Sequence, residues 1–309
     1  MRALVTGACG FAGSYLLRHL MAAGDEVLGT VVPSALGRQF SFPVVPLDVT
    51  DPVAVAETIA DFKPDTIFHL AGMAFVPEAE ENFAGALAVN VGSVNNVFRG
   101  CHLLGSAATI LIVSSADMYG RVQAEDLPLT EETPLRPVNN YGLSKAMAEL
   151  IPQRYTQFGQ IKAVIARPFN HIGPGQNERF VASSFARQLA LIAAGKAAPV
   201  LRVGELGSRR DFSDVRDVVG GYRLAAAKGQ GVYTFCSGQA VSIRTLLDTL
   251  IEIAGIRVTV EIDPARLRHI DIPEIYGSYA KAERDLGWRP IYPLEQTLKD
   301  IYTAWRQQV

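Results

Sequence analysis

The chain has 309 residues, 49% of them hydrophobic, which is enough to fill two cores and excludes a disordered or fibrous protein. Its 29 basic and 31 acidic residues leave a net charge of −2, so no overall field draws it to nucleic acid or to an acidic membrane, and a small-molecule partner is expected. The three cysteines, Cys9, Cys101 and Cys236, are too scattered for a disulfide framework or a zinc site, and they suit a reducing compartment. Met1-Arg2-Ala3-Leu4-Val5 enters a strand at once without a signal-peptide pattern, and no stretch approaches the roughly eighteen apolar residues of a membrane span. A cytoplasmic protein with no membrane partner and no bound metal is expected.

The first predicted strand, residues 2–6, runs into a turn carrying Gly7, Gly10 and Gly13 and straight on into a helix over 11–23, whose Tyr15, Leu16 and Leu20 share one side. A second strand over 26–32 completes a βαβ unit. In that setting the glycines read as a phosphate-binding turn. Gly7 permits the sharp bend, Gly10 the close approach of backbone to a pyrophosphate, and Gly13 the close packing of helix on sheet, with the helix dipole aimed at the anion. Gly7, Gly10, Phe11, Ala12 and Gly13 are thus expected around a dinucleotide, with Cys9 a small filler inside the turn.

The second strand ends Gly29-Thr30-Val31-Val32-Pro33-Ser34, without the acid that would hold an adenosine ribose 2′-hydroxyl. Ser34 and Arg38 can receive a 2′-phosphate, although Arg38 reads equally well as a solvated loop arginine. NADP(H) is favoured and NAD(H) stays possible, with Thr30 and Arg38 at the adenosine end. A short strand over 44–49 brings Asp48 and Val49 to the same cofactor. Asp51 caps a helix through residue 60 with Pro52 in its first turn, and a buried strand over 66–71 follows. Ligands of an open parallel sheet lie at the carboxyl ends of its strands, so Leu70, Ala71, Gly72 and Met73 should border the cofactor.

A long helix over 83–104 precedes the strand 109–113, whose unbroken apolar run implies burial on both faces. This strand ends at Val113, beside the cofactor, in Ser114-Ser115-Ala116-Asp117-Met118-Tyr119-Gly120, a polar cluster where function is expected. Tyr141 and Lys145 stand four apart on one face of the next helix, over 140–158. A strand over 162–167 closes the first lobe. Residues 168–176 are too rich in Gly, Pro and Asn to be regular, and the lobe boundary is placed there. Helices over 180–194, 214–228, 243–254 and 294–306 and strands over 200–203, 232–235 and 258–262 make up the rest. Asp214 reads as a helix cap and Asp217 as a solvated first-turn acid.

Thr6-Gly7-Ala8-Cys9-Gly10-Phe11-Ala12-Gly13, Ser115, and Tyr141 with Lys145 together resemble the extended short-chain dehydrogenase/reductase family of nucleotide-sugar enzymes, over essentially the whole chain. Phe169-Asn170-His171-Ile172-Gly173-Pro174-Gly175-Gln176, Arg210-Asp211-Phe212-Ser213-Asp214-Val215-Arg216-Asp217 and Arg266-Leu267-Arg268 are similar to one branch of it, the bacterial GDP-6-deoxy-D-mannose reductases. The resemblance implies an α/β fold: a Rossmann-type doubly wound parallel sheet for the dinucleotide (residues 1–168 and 208–232) and a smaller α/β lobe for a nucleotide sugar (169–207 and 233–309). It implies NADP(H)-dependent reduction of GDP-4-keto-6-deoxy-D-mannose to GDP-D-rhamnose. Alternatives are a 4,6-dehydratase or 4-epimerase with tightly bound NAD(P), or a binding protein that has kept the fold without the activity.

The family roles suit these residues. A phenol, with a pKa near 10, needs a neighbouring cation to stabilise its anion, and Lys145 is placed to act on Tyr141 and on the nicotinamide ribose. Tyr141 would exchange a proton with the sugar O4 while Ser115 hydrogen-bonds that oxygen. Pro168 and His171 would pack at the nicotinamide. Arg210 and Arg268 resemble a diphosphate clamp, Asp271 would accept from the nucleoside ribose, and Asn170 and Val181 would meet the substrate. Related dehydratases carry a glutamate two residues after the position of Ser115. Asp117 is one methylene shorter and reaches about 1.5 Å less far, so it is expected to shape the pocket rather than act as an eliminating base. The family commonly forms homodimers through the helices at 83–104 and 140–158.

Overall fold

Strand β1 (Arg2–Thr6) is buried along nearly its whole length, which a strand tolerates when neighbours pair with both edges and helices cover both faces. The computed structural model describes residues 1–35, 37–157, 159, 161–266 and 272–309. After β1 come α1 (Phe11–Ala22), β2 (Glu26–Val31), β3 (Val44–Pro46), α2 (Pro52–Phe62), β4 (Thr66–His69), α3 (Val76–Glu81), α4 (Phe83–Leu87), α5 (Ser93–Leu103) and β5 (Thr109–Val113). Then follow α6 (Asn140–Ala148), α7 (Ile151–Thr156), β6 (Lys162–Pro168), β7 (Asn170–Ile172), α8 (Val181–Ala193), β8 (Val200–Val203), β9 (Arg209–Asp214) and α9 (Val215–Lys228). The chain closes with β10 (Gly231–Phe235), β11 (Ala240–Ser242), α10 (Ile243–Ala254), β12 (Thr259–Ile262), β13 (Glu274–Ile275), α11 (Ala280–Leu286) and α12 (Leu294–Arg306).

Among the described residues, seven strands form one sheet in the order β3-β2-β1-β4-β5-β6-β10, every pair parallel. The order reverses direction beside β1, so the carboxyl ends of β1 and β4 open a crevice where a ligand can enter. Leu16, Leu17 and Leu20 of α1 are fully buried on one face of the sheet, each contributing about 1.5–3 kcal/mol. On the other face Val55 and Ile59 of α2 meet Val94, Val97 and Phe98 of α5. A second core gathers Phe185 and Leu189 of α8, Leu246 and Leu250 of α10 and Leu298 of α12. There β9 pairs with β11, β13 and β7, and β8 pairs with β12. No helix among the described residues is long and apolar enough to cross a membrane.

Several local expectations hold, and others change for identifiable reasons. The Asp51 side chain accepts from Val53 N at 2.8 Å and from Ala54 N at 3.2 Å, so it caps α2. The helix expected over 83–104 is interrupted by a π turn over Ala88–Gly92, and the Ser93 hydroxyl donates to the Val89 carbonyl there. The helix expected over 140–158 divides into α6 and α7, because Pro152 brings no N–H to continue the ladder. The stretch 168–176, read as irregular, contains β7, which exists because β9 offers it a parallel partner.

Asp214 caps α9 through Arg216 N as expected, but Asp217 is not solvated. It is 6% exposed and accepts from Ile291 N and Tyr292 N, both at 3.0 Å, so its role is to anchor the entry to α12. Two stretches also cross the expected division of the chain. Residues 209–214 join the second sheet through β9, and Ala282, Leu286 and Trp288 return to the first core, where the Trp288 indole donates to Asp217 O at 2.8 Å.

The glycine turn is under a tight steric constraint. Gly7 sits at φ +72°, and a Cβ added at Gly13 would lie 2.2 Å from the Gly7 carbonyl oxygen, so α1 could not start where it does. Gly13→Ala should therefore lose about 1–3 kcal/mol in chemical denaturation despite the better helix propensity of alanine. A variant as stable as the unsubstituted protein would show that the turn can relax.

Candidate active site

The crevice beside β1 holds a cavity of about 260 Å³. Eight of the residues expected at a cofactor line it: Gly7, Gly10, Thr30, Asp48, Val49, Leu70, Ala71 and Gly72. Cys9, Val32, Leu47, Thr50 and Val89 line it too. Most of these are chain neighbours of the expected residues; Val89 comes from the π turn, for which the sequence carries no periodic signal. Phe11, Ala12, Gly13, Met73, Val113 and Pro168 are not among the lining residues, and Arg38 lies exposed on the loop after β2. One Asp48 oxygen is occupied, accepting from Thr50 N at 2.9 Å and Thr50 Oγ1 at 2.7 Å.

Beneath this cavity a buried hydrogen-bond chain joins the two strand ends to the π turn. Ser93 gives its proton to Val89 O and must therefore accept from His69 Nε2, 2.8 Å away. His69 Nδ1 is then an acceptor, which takes the Thr6 hydroxyl proton at 2.9 Å, while Thr6 Oγ1 accepts from Ala71 N at 3.1 Å. Each partner thus has one consistent role, with His69 neutral and protonated on Nε2. Burial, followed by the charge of Lys145, pushes its pKa down to about 3. Asn90, in the same π turn, accepts from Met73 N at 2.8 Å and donates to Ser144 Oγ at 2.9 Å. It ties the loop after β4 to α6, a role that sequence reading missed.

At the end of β5 the expected trio meets. The Ser115 side chain accepts from Asp117 N at 3.2 Å, opening a 3₁₀ turn over Ala116–Tyr119. Tyr141 and Lys145 are each 8% exposed, and the Lys145 ammonium donates to Val113 O at 2.9 Å and lies 6.0 Å from the Tyr141 ring centroid. Burial raises the Tyr141 pKa, Asp117 raises it further, and a hydrogen bond with Ser115 opposes them. The expected lowering by Lys145 does not prevail, because burial and the Asp117 charge both penalise a phenolate. Burial lowers Lys145 to about 8, with Glu149 acting in the opposite sense. Near pH 7 the trio therefore presents a protonated, neutral phenol beside an ammonium group.

Of the residues expected at the substrate, Asn170 and Arg210 lie on the second sheet and Val181 on a helix of the same lobe. Asn170 opens β7 and is exposed, and Val181 opens α8. Arg210, on β9, donates from Nη1 to Arg209 O at 2.9 Å and to Ile272 O at 2.6 Å. Arg268 and Asp271 lie outside the described residues. The His171 ring stacks on Phe11 with centroids 6.1 Å apart and an interplanar angle of 5°, and its Nδ1 donates to Phe169 O at 3.1 Å. Burial lowers its pKa, so the ring is a neutral packing partner at the start of α1.

Comparison with known proteins agrees with this geometry. The GDP-6-deoxy-D-mannose reductase of Pseudomonas aeruginosa is 35% identical, over 100% of this chain and 98% of the relative. The GDP-6-deoxy-D-talose 4-dehydrogenase of Aggregatibacter actinomycetemcomitans is 32% identical, over 93% of this chain and 92% of the relative. A solved structure of RMD from Pseudomonas aeruginosa complexed with NADPH superposes with a TM-score of 0.89 at 34% identity, covering 100% of this chain and 98% of that one. A family model described as GDP-mannose 4,6 dehydratase matches residues 4–301, from β1 into α12. The chain therefore belongs to the GDP-mannose 4,6 dehydratase family, within the extended short-chain dehydrogenase/reductases.

Proposed function

We propose that this chain reduces the 4-keto group of a nucleotide 4-keto-6-deoxyhexose with NADPH, converting GDP-4-keto-6-deoxy-D-mannose to GDP-D-rhamnose. The observation that carries this reading is the meeting of Ser115, Tyr141 and Lys145 beside the glycine-turn cavity, in a chain 35% identical to such a reductase along its whole length. The cavity fits a dinucleotide: its wall includes Gly7 and Gly10 at the turn, and no acid lies among the wall residues contributed by the end of β2, Thr30 and Val32. The exposed Ser34 and Arg38 are available to a 2′-phosphate there. NADPH, which a structural neighbour binds, supplies the hydride that ends on sugar C4.

The remaining chemistry belongs to the chain. Tyr141 donates its Oη proton to the oxygen on C4, and Ser115 hydrogen-bonds that oxygen as negative charge grows on it. Lys145 keeps a positive charge beside the phenolate that remains and holds the nicotinamide ribose. Arg210 and Arg268 grip the diphosphate, Asp271 the nucleoside ribose, and Asn170 and Val181 the sugar side. The lobe built on the seven-stranded sheet carries the cofactor, and the lobe of α8, α10, α12 and the sheet around β9 carries the nucleotide sugar. Exposed Leu103 and Leu104 at the end of α5, with Leu143, Met147 and Leu150 along α6 and just beyond it, support a homodimer.

A second reading, a 4,6-dehydratase with retained cofactor, draws on the family description and on the Asp117 charge felt at Tyr141. Elimination needs a base for the C5 proton; reduction does not. Asp117→Asn should keep much of the NADPH-dependent reduction, since losing the carboxylate also removes a penalty on the Tyr141 phenolate. Conversion of an unmodified GDP-hexose to a 4-keto-6-deoxy product, abolished by this substitution, would instead establish the dehydratase. Tyr141→Phe should lower reductase turnover by about 10² or more while NADPH binding, followed by fluorescence titration, stays near that of the unsubstituted protein. Near-normal turnover would move the proton donor elsewhere, with His171 the next residue to test.

A further inference from the structure

His69 is a buried polar side chain that the proton transfer does not use. It is 3% exposed and ends β4 in the middle of the sheet, with Thr6 of β1 and Ile112 of β5 as its register partners. Thr6 and Ser93, the two hydroxyls it joins, are buried as well. Replacing such a set by apolar groups of the same shape costs little, so net stability is a weak reason for its presence. The ends of the chain are more informative, because both reach the wall of the nucleotide cavity. Ser93 donates to the carbonyl of Val89, and Thr6 Oγ1 accepts from the amide of Ala71 at 3.1 Å; Val89 and Ala71 both line the cavity.

The Thr6 end is the one that bears on the glycine turn. The ladder pairs of β4 stop at His69, so a side chain, not a neighbouring strand, holds the Ala71 amide. A Cβ added at Gly7 would lie 2.8 Å from Ala71 N, so the turn rests directly on that amide with no side chain between the two backbones. The Thr6 hydroxyl has one proton to give. His69 Nδ1 takes it at 2.9 Å, which leaves the Thr6 lone pairs to Ala71 N; without that acceptor the hydroxyl is free to turn. We propose that His69 is a positioning residue for the cofactor: by fixing the Thr6 hydroxyl it holds Ala71 against Gly7, and so sets the wall on which the dinucleotide lies. The inference rests on the cofactor reading of the cavity given above.

The test is a fluorescence titration with NADPH of three variants, at a temperature where circular dichroism shows each to be folded. His69→Asn offers an oxygen where Nδ1 stands and keeps the Thr6 side, His69→Gln offers an N–H where Nε2 stands and keeps only the Ser93 side, and His69→Leu keeps neither. His69→Leu and His69→Gln should each weaken NADPH by about 10-fold, and His69→Asn by no more than about 2-fold. Adding Thr6→Val to His69→Leu should weaken binding little further, since both changes break the same link. A purely structural role lowers the melting temperature without this pattern of affinities. Unchanged affinity in folded His69→Leu or His69→Gln overturns the proposal, as does equal weakening in His69→Asn or failure of both His69→Leu and His69→Gln to fold. The titration needs no sugar, so an unsubstituted protein that binds NADPH but does not reduce the 4-keto sugar contradicts the proposed function and leaves this measurement intact. An unsubstituted protein that does not bind NADPH overturns the proposal together with the cofactor reading.

Discussion

One hydrogen bond sets the geometry of the reaction centre: the Lys145 ammonium to the Val113 carbonyl, 2.9 Å long. Val113 ends a strand buried in the middle of the sheet, so its carbonyl is as fixed as the core itself. The bond ties the Lys145 side chain to the end of β5, near the turn where Tyr141 meets Ser115. Burial then does the electrostatic work. It keeps the phenol protonated and brings the ammonium down to about 8, so at pH 7 the site holds a neutral phenol beside a cation.

The π turn over Ala88–Gly92 connects this centre to the nucleotide crevice. Through Ser93 it holds His69, and through His69 the Thr6 hydroxyl at the mouth of the glycine turn. Through Asn90 it holds Met73 and Ser144, next to Lys145 in α6. Asn90 and Ser93, three apart, lie on one face of this segment. The irregular turn is thus the joint at which cofactor wall and catalytic helix are held in register, consistent with the frequent placement of such bulges at functional sites.

Sequence alone exposes the parts whose local chemistry is strong. The Gly7-Gly10-Gly13 turn, the apolar strand at 109–113, the Asp51 cap and the Tyr141–Lys145 spacing each carry their own signal, and each appears where it was expected. What stayed hidden depends on distant partners. β7 needs β9 beside it, Asp217 needs the Ile291 and Tyr292 amides, and Asn90 needs Met73 from across a helix. Arg167 reads as an ordinary strand-end arginine until the fold brings Glu149 to it. Pairing across tens of residues leaves no period in the sequence, so no pattern in one chain reveals it.

The proposed chemistry places one hydrogen on one carbon, and an isotope locates it. Incubation of GDP-4-keto-6-deoxy-D-mannose with NADPH deuterated at the transferable position, followed by NMR of the sugar product, reads that carbon directly. Deuterium at C4 of a GDP-6-deoxyhexose, formed in step with oxidation of the cofactor, is the expected result. A product without label at C4, or a 4-keto-6-deoxy sugar made from unmodified GDP-mannose with no net use of NADPH, would contradict reduction as the reaction of this site.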